Sequence, residues 1–129
     1  MPTIPTRWRH LVRDQLDAAD ERVARAERHL ADENGTRAVQ EAYPAVVTLA
    51  NIRVWLDDPP WLTTLAPDTM PRRTQSQLPT LFAALTELDV QHALTRPWAP
   101  PDARPYVEEA RAFLTDTRSL VDRWLETYA

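Results

Sequence analysis

Arg22 and His29 lie seven residues apart in the first quarter of this chain. That is about two helical turns, so a helix would hold both on one face. An arginine there can bind a phosphate while a histidine moves a proton, the two roles that metal-independent RNA cleavage requires. Each residue also stands one position before a core-type side chain, Val23 and Leu30. The competing reading is therefore an ordinary surface pair on an arginine-rich helix.

Arg53 stands out because of its neighbours. Across residues 45–56 only Thr48, Asn51 and Arg53 are polar. A charge in such a segment needs a partner or a route to water. Asp57, four residues on, and Glu87 or Asp89 from a later helix are the acidic candidates. A structural ion pair is the plain reading. The functional ones are an anion-binding or interface arginine, or a small-molecule pocket lined by Arg53, Asn51 and Tyr43. Trp61 and Trp98 fall in proline-rich connectors, where they either bury packing surface or mark a partner site.

Asp89 and His92 have the i,i+3 spacing of a ligand pair, but a di-iron bundle needs two such pairs and two further carboxylates. No metal site is expected. The chain has no cysteine and no lysine, which excludes thiolate chemistry and a Schiff-base lysine. One glycine excludes a glycine-rich phosphate loop, and no cofactor is implied. A net charge of −4 disfavours broad nucleic-acid binding while leaving a local arginine cluster able to hold a phosphate.

These residues must be positioned by helices. Val12, Leu16, Ala19, Val23, Ala26 and Leu30 step by fours and threes, as do Tyr106, Ala110, Phe113, Thr117, Leu120 and Trp124. Such stripes predict helices over residues 6–33 and 104–127, with Asp102 as N-cap of the latter. Asn34-Gly35 should supply a left-handed stop after the first helix, and Thr36 a cap for a second over residues 37–56. That second helix is apolar on most sides, which places it centrally or at a dimer interface. Pro44 should kink it or begin a new segment. A third helix is predicted over residues 76–94, with Pro79 in its first turn. Residues 57–73 and 96–105 are proline-rich connectors, the first with a short helical turn near Trp61. The sum is an all-α, four-helix up-down bundle, or five helices with that connector helix, forming a single domain over residues 1–129. No apolar run is long enough to span a bilayer and no signal pattern opens the chain, so the expectation is a cytoplasmic protein without a membrane partner.

Two segments carry a family resemblance. Ala42-Tyr43-Pro44-Ala45 followed by Ala50 is similar to the Ala-Tyr-Tyr-Ala stretch in the second helix of HEPN proteins. Tyr106-Val107-Glu108-Glu109-Ala110, leading to Phe113 and Val121, resembles that family's last helix. HEPN domains are helical bundles of prokaryotic toxin–antitoxin pairs, nucleotidyltransferase partners and defence systems. Ribonuclease members carry an Arg-x₄₋₆-His motif near the start of a late helix. Here Arg104 and Tyr106 stand in that neighbourhood but no histidine follows, and Arg22 and His29 have the spacing in the first helix instead. The resemblance thus implies a non-catalytic binding module. It would pair with itself, through its second or last helix, or with a nucleotidyltransferase or toxin–antitoxin partner protein. A metal-independent ribonuclease using Arg22 and His29, and a small-molecule-binding bundle, are the alternatives.

Overall fold

The computed structural model describes residues 4–57, 74–87 and 90–127, and all of their regular structure is helical. Helix α1 spans Thr6–Ala31 and buries Val12, Leu16, Ala19, Val23 and Ala26, the stripe read from the sequence. Its end is a Schellman motif. The Glu33 N–H donates to the Leu30 carbonyl and the Asn34 N–H to the His29 carbonyl. Glu33, at φ 60, is the left-handed residue. Asn34-Gly35 was the expected stop, but Gly35 is already the first residue of α2, Gly35–Asp57. Asn34, not Thr36, is the cap: its Oδ1 accepts the Arg37 N–H at 3.2 Å.

The single glycine has a packing role. A Cβ at Gly35 would meet the Trp98 carbonyl oxygen well inside van der Waals distance, with Ala99 close behind. The hydroxyl of Thr36 accepts the Trp98 backbone N–H at 2.9 Å, which pins the later loop across the start of α2. Helix α2 then runs unbroken through Pro44. Proline cannot donate to the carbonyl four residues back, yet the helix neither ends nor restarts there.

Helix α2 is the centre of the molecule. Ala38, Val39, Ala42, Ala45, Val46, Leu49, Ala50 and Ile52 are all fully buried. Helix α1 packs antiparallel on one side, where Trp8 meets Trp55 edge to face at 5.8 Å. Helix α5, Pro100–Thr127, packs on the other and runs parallel to α2. Two parallel neighbours require a return leg between them. That leg comprises α3, Thr80–Glu87, and α4, Val90–Thr95, preceded by a helical turn at residues 74–76. It climbs antiparallel to α2: Thr74 contacts Asn51, Gln77 contacts Asp57, and the Gln40 amide reaches the Leu94 carbonyl at 3.0 Å.

The result is an all-α up-down bundle whose third leg is divided rather than one helix over 76–94. Gln77 to Pro79 interrupt the leg, and α3 begins only at Thr80. Glu109 on α5 completes this new helix start, its Oε1 accepting the Leu81 N–H at 3.0 Å. A carboxylate there also suits the helix dipole. Helix α5 begins earlier than its stripe suggested. Ala99 accepts the first helical bonds, from Asp102 and Ala103, so Asp102 lies inside the first turn and is not the N-cap. Pro100 and Pro101 occupy positions where a missing N–H costs nothing. The buried residues form one contiguous core drawn from all five helices.

Candidate functional site

Arg53 reaches across the seam from α2 to α5. Its Nε donates to Thr117 Oγ1 at 2.9 Å, and the guanidinium lies over the Phe113 ring, 4.2 Å from its centroid. Thr117 is completely buried. An acceptor and an aromatic face together fix the plane of the guanidinium. Burial lowers the hold of Arg53 on its proton, and the charges of Asp116 and Asp57 oppose that effect. No carboxylate lies within ion-pair distance of Arg53 among the described residues. Both Nη groups therefore remain without a protein acceptor there.

Those donors border a pocket of about 320 Å³ lined by Arg53, Leu56, Asp57, Gln77, Leu120 and Trp124. Leu56, Leu120 and Trp124 are half-buried and make its apolar wall. Gln77 donates from Nε2 to Asp57 Oδ2 at 3.1 Å and fixes the carboxylate at the rim. An apolar wall with a few convergent polar groups is the usual composition of a small-molecule site. Asp57 was the anticipated partner of Arg53; the contacts that position Arg53 come instead from Thr117 and Phe113. Asp89 lies outside the described residues.

Asn51 and Tyr43, expected to line a pocket with Arg53, are not part of this lining. Asn51 Oδ1 accepts the Thr74 hydroxyl at 3.3 Å and ties the return leg to α2. Tyr43 packs against Phe82, with ring centroids 6.4 Å apart, and burial pushes its hydroxyl pKa up. Trp98 is buried, not displayed. Its indole N–H donates to the Ala93 carbonyl at 2.8 Å, its ring meets Tyr106 at 5.0 Å, and Arg96 covers one face at 3.8 Å. Trp61 lies outside the described residues.

Arg22 and His29 share α1, as their spacing requires. Arg22 is engaged elsewhere: its Nη1 lies 3.6 Å from the Glu41 carboxylate, which also takes Arg25 Nε at 3.2 Å. An arginine shared with a carboxylate is poorly placed to meet a phosphate. Further charges join α1 to α5. Arg111 binds Glu27 through two nitrogens and approaches Asp20 at 3.4 Å, while Arg118 reaches Asp20 at 3.1 Å. The hydrogen bond to Glu27 is the main cause of the raised Arg111 pKa. A larger groove, about 440 Å³, opens beside this ladder between Leu30, Ala31, Val107 and Ala112. Arg104 and Arg111 are its lining cations, and all three guanidinium nitrogens of Arg111 already contact Glu27 or Asp20.

Among the described residues no three His, Cys, Asp or Glu side chains are grouped to hold a metal ion, and no helix is long and apolar enough to cross a membrane. Sequence reasoning singled out Arg53 but missed Gln77, Leu120, Trp124 and the positioning pair Phe113 and Thr117. Leu120, Trp124, Phe113 and Thr117 were all visible in the last stripe, where they read as core. No family model, curated protein or solved structure matches the chain.

Proposed function

We propose that this chain is a non-catalytic, HEPN-like binding module that takes a small amphipathic molecule in the Arg53 pocket. One observation carries the reading: a guanidinium fixed by Thr117 and Phe113 lines an open pocket together with Leu56, Leu120 and Trp124. Preorganised donors facing a pocket cost little to engage, because the side chain is already ordered. The HEPN part rests on the sequence motifs around Tyr43 and Tyr106. So does the proposed pairing with a nucleotidyltransferase or toxin–antitoxin partner. Homodimerisation through α2 loses its motive, since the apolar faces of α2 are covered within one chain. The α5 surface is the remaining place for self-association.

The test is chemical-shift mapping of the full chain with benzoate, benzamide and benzylamine, an anion, a neutral amide and a cation of similar size. The Arg53 Nε–H and Trp124 indole N–H resonances should move together with at least one of them, and Arg53→Met should abolish the effect. Resonances that stay fixed with all three probes would remove this reading.

A further inference from the structure

We propose that the Arg53 pocket selects a free α-amino acid with a large apolar side chain. The inference rests on the pocket reading above and specifies its ligand. Arg53 supplies unengaged cationic donors, and Asp57 supplies an anion on the same lining. Asp57 uses Oδ2 to accept from Gln77, and among the described residues nothing engages Oδ1. A ligand carboxylate can pair with the Arg53 Nη edge in charge-assisted hydrogen bonds, and a ligand ammonium with Asp57 Oδ1. Leu56, Leu120 and Trp124 then cover an apolar side chain.

The charges decide between ligand classes. A simple anion would gain Arg53 but meet the fields of Asp57 and Asp116, both close enough to act on Arg53 itself. A simple cation would gain Asp57 and be repelled by Arg53. A molecule carrying both charges is attracted by both groups, and like-charge contacts are what exclude the wrong partners. The size agrees: about 320 Å³ is near the lower end of ligand pockets, room for one ring or one branched chain rather than a nucleotide.

The experiment is isothermal titration of the full chain with L-phenylalanine, 3-phenylpropionate and 2-phenylethylamine. These share the ring and carry both charges, the carboxylate alone, and the ammonium alone. Phenylalanine should bind at least tenfold tighter than either of the others. Asp57→Asn, at the exposed end of α2, should remove that advantage over 3-phenylpropionate while leaving 3-phenylpropionate binding in place. If 3-phenylpropionate binds as tightly as phenylalanine, the amino-acid inference is overturned and the pocket reading stands. If none of the three binds and the benzene-ring probes above leave Arg53 and Trp124 unmoved, both fail.

Discussion

Arg53 Nε and Thr117 Oγ1 meet at 2.9 Å across 64 residues of sequence, joining the C-terminal part of α2 to the second half of α5. Thr117 is a fully buried polar residue in an otherwise apolar core. Its hydroxyl satisfies the arginine, and the arginine explains why a threonine is buried there. Thr117→Val keeps the shape and deletes the acceptor. Hydrogen bonds to charged groups contribute about 1.5–3 kcal/mol, and Arg53 can recover some water through the pocket, so a loss of about 1.5 kcal/mol is expected. Urea unfolding measures it. Thr117→Ser should retain most of the stability, and a loss as large as that of Thr117→Val would show that the methyl contact matters as much as the hydrogen bond.

Gly35→Ala should destabilise the fold by about 1–3 kcal/mol, the usual range for a group forced into a filled space. The obstacle is backbone, the Trp98 carbonyl, which cannot swing aside as a side chain would. Alanine is otherwise the better helix former, so propensity alone predicts the opposite sign. A thermal melt that rises for this variant would show that the Trp98–Ala99 loop is not held against α2.

Glu33 gives a stabilising counterpart. It holds φ 60 at the end of α1, where L-residues are strained by roughly 1–2 kcal/mol and glycine is not. Glu33→Gly should raise stability by about 0.5–1 kcal/mol, part of the strain relief being lost to glycine's freedom in the unfolded chain. No ion pair of the described residues involves Glu33, so no compensating contact is lost. Unfolding at a lower denaturant midpoint than wild type would contradict the Schellman geometry.

The sequence made α1 legible because its stripe is regular and its ends lie near Pro5 and the Glu33 turn. The central place of α2 was legible for the same kind of reason: a helix apolar all round has to be covered all round. The start of α5 was not, since prolines read as loop punctuation also fit a first helical turn, as Pro100 and Pro101 do. The division of the return leg was hidden because Leu78, Phe82, Leu85 and Leu88 keep helical spacing across Pro79. Periodicity records which face is apolar and does not record where the backbone breaks. The Arg53 site was half legible. A charge in an apolar segment announces itself, but its acceptor lies on another helix far along the chain, and no spacing rule links Arg53 to Thr117.

RNA cleavage bears on Arg22 and His29. With Arg22 beside Glu41, the wild-type protein should leave single-stranded RNA intact in EDTA, and His29→Ala should behave identically. Glu41→Gln removes the competing carboxylate and should change stability by under about 1 kcal/mol, because the pairs are half-exposed. Cleavage by the wild type that His29→Ala abolishes would establish the ribonuclease in place of the binding module.

Tyr43 sets the alkaline behaviour of the α2–α3 contact. Burial raises its pKa above the ordinary 10.0, so the folded state keeps the phenol proton at pH values where the unfolded chain has lost it. Between those two values the native state binds more protons than the unfolded state, and stability must fall as pH rises. The contribution is complete below about pH 10 and is lost as pH climbs through the folded-state value. Ionisation would put a phenolate beside the Phe82 ring, where desolvation is the penalty. Tyr43→Phe should therefore show a shallower decline in urea stability above pH 10 than wild type, with little difference at pH 7. Parallel declines in the two proteins would mean that the Tyr43 hydroxyl stays as well hydrated after folding as before.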